Sequence, residues 1–450
     1  MSTRLKDWIV IFVCVVSVLG TSCKVTKPND YIEESVSIDL LSQLKEIPQV
    51  KRITELETSD HFTQHVELWF EQLVDPQNPE SETFEQRVLV AHSDNEAPVI
   101  VELQGYQIYS SKAGELASMF KGNQITIEHR FFANSKPEGE IPWEHLTLEN
   151  AAMDQHNVIT AIRSVLYPEN KFLSTGISKG GQVTAIHRSM YPNDVDASVC
   201  YVAPLNFERE DKRIYHFLDT VGTEEQRSKI ETFQILCFEM KTEILEELKA
   251  EQLENNYEWD MSLEKAFEYY VLEYPFAFWQ WGGVSFEDIP DGEAGSDSIL
   301  NHLLGVSGVS FFESSGVENL RPFFWSAMSE IGMYGYEYEP FEEYLSAKED
   351  YTFEFTFPKG HAPVYSNVAM KRVNIFIQEK GTNMMFIYGG RDTWSATAVQ
   401  LSDEAIKRGL KKYVNPVGHH GTRIRDFKNE QGSEIIGDLE TWLEVKVTQD

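Results

Sequence analysis

Ser178 stands in Gly176-Ile177-Ser178-Lys179-Gly180, with a glycine two places before it and another two places after it. That spacing suits a tight turn from a strand into a helix. A side chain at either glycine would collide with the neighbouring element, and the turn lifts the serine hydroxyl above the sheet. A hydroxyl becomes a useful nucleophile only when a base takes its proton and a third group orients the base. The C-terminal part of the chain holds both in the required order: Asp392 after "MMFIYGGR", then His419 and His420 in "NPVGHHGTRI". Adjacent histidines point in opposite directions, so at most one of them faces Ser178. The competing reading of Asp392 is a cap for the segment beginning "SATAV". Acyl transfer also needs donors for an oxyanion, and the Lys179 N–H is one candidate. Gly105 or Tyr106, at the end of "APVIVELQGY", is the second. The Lys179 side chain is expected either to pair with a carboxylate or to be solvated.

The elements that must position these residues alternate. "APVIVELQGY" (97–106), "NQITIEHRFF" (123–132), "KFLSTG" and "ASVCYVAPL" read as buried strands. Between them lie "TLENAAMDQHNVITAIRSVLY" (147–167), with Thr147 as N-cap, and "GGQVTAIHRSMYP", ended by Pro192; both have helical spacing. Such alternation predicts a parallel sheet covered on both faces. Residues 206–360 are helical, acidic and rich in aromatics, with no run resembling a central strand. From 361 the first pattern resumes, with "MMFIYGGRDTW" a strand and loop, "SATAVQLSDEAIKRGL" a helix and "KKYVNPVGHHGTRI" a strand and loop. The expected organisation is one α/β domain (46–205 and 361–450) interrupted by a helical cap (206–360).

Seventy-two acidic residues against 39 basic ones give a net charge of −33, which repels phosphate backbones and excludes nucleic acid as an expected partner. The N-terminus has Arg4 and Lys6, an apolar run from Trp8 to Leu19, then small residues up to Cys23. This is the layout of an export signal over residues 1–22, and the run is short for a membrane span. Small residues before a cysteine resemble a bacterial lipoprotein signal, with Cys23 acylated and residues 23–45 a tether. The departure is Gly20 where such signals carry leucine; Leu19 is one place early. An ordinary cleaved signal is the alternative. Either way the chain is expected outside the cytoplasm, in the periplasm or at the outer membrane or cell surface, touching membrane only through that anchor. Cys200 and Cys237 could form one disulfide, although Cys200 in "ASVCYVAPL" reads as a buried small hydrophobe. There is no CxxC or HExxH, so neither a metal nor another cofactor is expected.

"EHRFF" (128–132), "LTLENAAMDQ" (146–155), "TGISKGGQ" (175–182), "FAFWQWGG" (276–283), "YGGRDTW" (388–394) and "GHHGTRI" (418–424) together resemble the secreted prolyl tri-/tetrapeptidyl aminopeptidases. Those are serine peptidases of the α/β-hydrolase fold, related to lysosomal prolylcarboxypeptidase and dipeptidyl peptidase II. The resemblance implies that fold, with a helical cap inserted after the strand that follows the nucleophile turn. It implies Ser178 as nucleophile, Asp392 as orienting acid and His420 as base, because the family's histidine directly precedes a Gly-x-Arg stretch, here Gly421-Thr422-Arg423. His419 stays open as the alternative.

The resemblance further implies an exopeptidase that releases short peptides from a free N-terminus, often after proline. A cationic α-amino group calls for a carboxylate in the cap, and Glu273, Glu330 and Glu337 are candidates against the plainer reading of solvated helix charges. A proline ring calls for aromatics: Phe278, Trp279, Trp281 and Tyr334 are candidates, against the reading that they form the cap's own core. Glu128 and Arg130 are expected to form a buried structural pair. Two rival functions are a carboxylic-ester hydrolase on the same fold and a non-catalytic surface lipoprotein. An acidic cap suits an amine better than an acyl chain, and a complete Ser-Asp-His set weighs against a purely binding role.

Overall fold

The computed structural model describes residues 39–447 except 60, 348–350 and 429. The expected signal, the first part of the tether and Cys23 lie outside the described residues. Nine strands form one sheet: β1 (Val50–Glu55), β2 (Gln64–Leu73), β3 (Thr83–His92), β4 (Val99–Leu103), β5 (Asn123–Ile127), β6 (Phe172–Ile177), β7 (Ala197–Tyr201), β8 (Met384–Gly389) and β9 (Lys411–Asn415). Their order is β1-β2-β3-β5-β4-β6-β7-β8-β9. Antiparallel pairing joins β1 to β2, β2 to β3 and β3 to β5; from β5 onward every neighbour is parallel. A parallel sheet needs crossovers, and these place helices on both faces. The result is an α/β-hydrolase fold.

Helices α1 (Leu40–Leu44), α2 (Glu115–Phe120), α3 (Leu148–Leu166) and α4 (Lys179–Met190) precede the cap. The cap contributes α5 (Arg213–Leu218), α6 (Glu224–Glu239), α7 (Lys241–Asn255), α8 (Leu263–Trp281), α9 (Ser296–Ser307) and α10 (Ser314–Ser326). After it come α11 (Val368–Glu379), α12 (Asp403–Lys407) and α13 (Glu430–Leu443). Strand alternation divides the core. Val101 and Leu103 of β4 pack with α1 and α3, whereas Ile100 packs with Leu116 and Ala117 of α2 and with Ile435 of α13. Among the described residues no helix is long and apolar enough to cross a membrane.

Thr147 caps α3, its hydroxyl accepting from the Asn150 N–H at 3.2 Å. Other expectations change. Leu40 and Leu44 are fully buried against the sheet, so the ordered domain begins inside the stretch expected as tether (23–45). The helix expected over "SATAVQLSDEAIKRGL" is two short pieces. A 3-10 turn runs from Thr393 to Thr397, and α12 starts only where the Ser402 hydroxyl accepts from the Ala405 N–H at 3.2 Å. Cys200 and Cys237 are both buried free thiols.

Glu128 and Arg130 do not pair with each other. Arg130 forms a fork with Asp154 of α3 (2.6 and 2.8 Å) and donates to the carbonyls of Leu73, Val74 and His145. Glu128 instead accepts from the Ser135 hydroxyl (2.7 Å) and the Ile108 N–H (2.9 Å). Arg130→Met would strand a buried carboxylate and remove a donor from each of three carbonyls. Loss of about 3–5 kcal/mol is expected, measured as a lower urea midpoint.

Candidate active site

Ser178 sits between the end of β6 and the start of α4 with φ 58° and ψ −123°, a conformation that L-residues adopt only when the surroundings enforce it. The enforcement is visible. Its N–H donates to the Tyr201 carbonyl at 2.9 Å, and a Cβ at Gly176 would lie 2.2 Å from the Gly180 carbonyl oxygen. The spacing of glycines around Ser178 is therefore a packing requirement.

Asp392 follows β8 and is fully buried. Its Oδ1 accepts from the Trp394 N–H at 3.1 Å, while its Oδ2 lies 2.7 Å from His420 Nδ1. The two sequence readings of Asp392 are geometrically compatible: one oxygen caps the following turn and the other meets the imidazole. A carboxylate accepts, so Nδ1 carries the hydrogen and Nε2 keeps a lone pair. The His420 ring meets Trp281 edge-on at 5.5 Å, and the His420 backbone N–H donates to the Gln280 carbonyl at 2.9 Å. Ser178 and His420 line one cavity of about 850 Å³. His419 turns elsewhere: its Nδ1 donates to the Trp279 carbonyl at 2.7 Å, tying the histidine loop to the C-terminal end of α8.

The amides of Lys179, Gly105 and Tyr106 find no acceptor among the described backbone and side chains. Gly105 and Lys179 are in close contact, since a Cβ on Gly105 would lie 2.7 Å from the Lys179 Cβ. The Tyr106 phenol, raised by burial, has Ser178 as a hydrogen-bonding neighbour. The Lys179 side chain is neither solvated nor paired with a carboxylate, contrary to both sequence readings. It is 2% exposed, donates from Nζ to the Gly105 carbonyl at 2.7 Å, and lies 4.9 Å over the Phe132 ring. Burial holds its ammonium group well below the usual lysine range. Because a trans peptide points its C=O and N–H in opposite directions, anchoring the Gly105 carbonyl also fixes the Tyr106 N–H. Lys179→Met should lower kcat on the order of 10²-fold with little change in KM, the loss for a misplaced oxyanion donor. Steady-state kinetics on a purified, folded variant checks this.

On the cap side, Glu273 of α8 is buried and lines the same cavity. It accepts from the Tyr334 hydroxyl (2.9 and 3.0 Å) and the Tyr336 hydroxyl (2.7 Å). Burial outweighs these donors and pushes its carboxyl up to about 8. Beside it, Phe276 stacks on Tyr334 at 3.7 Å, and Trp394 meets both rings edge-on at 5.2 and 5.5 Å. This is an apolar slot with an acid at one end.

A family model described as PS-10 peptidase S37 matches residues 33–449. The chain belongs to the S37 peptidases. It is a serine peptidase. It is 27% identical over 412 residues to the prolyl tri/tetrapeptidyl aminopeptidase of Streptomyces mobaraensis, covering 90% of this chain and 85% of that one. Among solved structures it is similar to the proline iminopeptidase of Mycobacterium smegmatis, with 12% identity, a TM-score of 0.38 and coverage of 87% and 98%. It is also similar to the 2-hydroxy-6-oxo-6-phenylhexa-2,4-dienoate hydrolase of Rhodococcus sp. strain RHA1, with 11% identity, a TM-score of 0.38 and coverage of 86% and 100%.

In this S37 peptidase the cavity collects some expected residues and not others. Glu273, Tyr334 and Trp281 line it, with Trp281 61% exposed at its edge. Trp279 does not: it is buried in the cap core against Phe278 and Phe286 and faces a separate cavity. Phe278 is core as well. Glu330 caps α3, accepting from the Leu148 N–H at 2.8 Å, and Glu337 lines the separate cavity. The residues that α8 gives to the site are Glu273, Phe276, Ala277, Gln280 and Trp281. That is an i, i+3, i+4, i+7, i+8 stripe, the signal that separates them from Phe278 and Trp279. Asn206 was also missed. It is buried, holds the Ile331 and Gly332 carbonyls with its Nδ2, and keeps its Oδ1 without a donor while lining the cavity.

Proposed function

We propose that this peptidase is an aminopeptidase that grips the free N-terminus of a peptide at Glu273 and releases a short N-terminal fragment, favouring proline at the scissile bond. The observation that carries this reading is a buried carboxyl at one end of the cavity that also holds Ser178 and the Asp392–His420 pair. In this reading His420 Nε2 takes the Ser178 proton as the hydroxyl attacks, and Asp392 holds the imidazole in register. The Lys179 and Tyr106 amides, with Gly105 as neighbour, receive the oxyanion. His420 then passes the proton to the leaving amine, and water releases the acyl fragment from Ser178 by the same steps reversed.

The Phe276, Tyr334 and Trp394 rings suit a proline ring, and the unpaired Asn206 Oδ1 suits a second hydrogen from the substrate amine. The name of the Streptomyces mobaraensis relative supports the same substrate class. The N-terminal signal supports an exported, Cys23-anchored enzyme. The test compares an Ala-Ala-Pro anilide with a free amine against its N-acetyl form. Rapid turnover of the free amine alone is expected. Equal turnover of both would remove amine reading, and hydrolysis of simple esters alone would favour the esterase.

A further inference from the structure

The cavity around Ser178 extends beyond the parts used so far. On the side opposite the cap it is walled by Thr175, Tyr201, Gly114 and Leu116, together with Glu102 of β4. Glu102 shares its sheet face with Ile100, the α2-covered face, and pairs in register with Thr175 of β6. Thr175 precedes Ser178 by three residues, so Glu102 lies about 10 Å of strand rise below the nucleophile. Gly421 and Arg423, which follow the base His420 in the chain, line the same region. If His420 protonates the leaving amine, as in the reading above on which this inference rests, this is the leaving-group side.

The charged groups around it are hydrogen-bonded or face water, with one exception. Glu115 accepts from the Tyr201 hydroxyl (2.8 Å) and from the amides of Ile424 (3.1 Å) and Arg425 (3.0 Å). Arg423 donates to the carbonyls of His420 and Thr422. Lys112 and Arg425 are exposed to water. Glu102 has no hydrogen-bond or ion-pair partner among the described residues, and burial alone pushes its carboxyl up to about 7. A half-buried acid without a protein partner is disfavoured as an anion and gains from a cation that arrives with its own donors.

We propose that Glu102 is the floor of a leaving-side subsite that takes a long basic side chain, lysine or arginine, on the residue immediately after the scissile bond. Charge selects the cation, and depth selects the stem: a short side chain entering beside Ser178 would stop well above Glu102, whereas a lysine or arginine stem can run along the apolar wall.

The test measures kcat/KM for Ala-Ala-Pro-Lys-Ala and its norleucine counterpart, which has a similar length without the charge. The wild type is expected to favour lysine by about tenfold, the factor for one charge-assisted hydrogen bond at a half-buried carboxylate. The ratio should fall to about one in Glu102→Gln. In Glu102→Asp, whose carboxylate is set further back, arginine should gain on lysine. Each ratio is taken within one protein, so reduced folding of a variant cancels. A wild-type ratio near one, or a lysine preference that survives Glu102→Gln, would overturn the subsite while leaving amine reading intact. Absence of any peptide turnover by the wild type would overturn both.

Discussion

Ser178→Ala is expected to lower kcat for a tripeptidyl anilide on the order of 10⁶-fold, and His420→Ala by a similar factor. The double variant should be scarcely worse than either alone. Nucleophile and base act as a unit: without the base the hydroxyl keeps its proton, and without the hydroxyl the base has nothing to activate. Residual catalysis would come from binding and the oxyanion amides. Asp392→Asn should cost about 10⁴-fold, because an amide can offer its N–H to Nδ1 and hold the wrong tautomer. That expectation rests on the 2.7 Å contact between Asp392 and His420, which is shielded from water. Additive losses in the double variant would show that Ser178 and His420 do not share one step.

The second large effect concerns Glu273. Glu273→Gln should lower kcat/KM for free-amine substrates by about 10²–10³-fold, the range for removing one member of a buried charge pair. Turnover of N-acetyl substrates should change little. The pH dependence carries a sign. Burial holds the Glu273 carboxyl protonated up to about 8, so it must lose that proton to pair with an ammonium group. In the wild type kcat/KM should therefore climb as pH rises toward 8. It falls again once the substrate α-amino group, with a pKa of about 7.7–8.0, loses its own proton. In Glu273→Gln the part of the rising limb that reports the carboxyl should vanish. An unchanged profile would assign the limb to another group.

Much of this site could be read from the chain because its signals are local. Glycines two places either side of Ser178 are dictated by a turn that admits no side chain, and Asp392 and His420 each follow a short strand. What escaped depends on distant partners. Nothing near Lys179 in sequence announces that its amine will reach the Gly105 carbonyl in the loop after β4. Arg130 looked like the partner of Glu128 because the two are close in the chain, but its fork is satisfied by Asp154 on α3. In "YPFAFWQW" aromatic character alone could not separate the cavity from the core. The helical stripe starting at Glu273 does so, placing Phe276 and Trp281 inward and Phe278 and Trp279 behind. The antiparallel β1–β3 ribbon likewise became visible only through its pairing.

The central claim is that Ser178 carries a short peptidyl group as an ester during turnover. Ala-Ala-Pro p-nitrophenyl ester would be mixed with enzyme, quenched in acid within milliseconds and analysed by peptide mass spectrometry, with p-nitrophenol release followed in parallel. A burst of one p-nitrophenol per enzyme, with the Ala-Ala-Pro mass on the peptide containing Ser178, is the expected result. A burst that deposits the mass on another residue, or one that persists in Ser178→Ala, would contradict it.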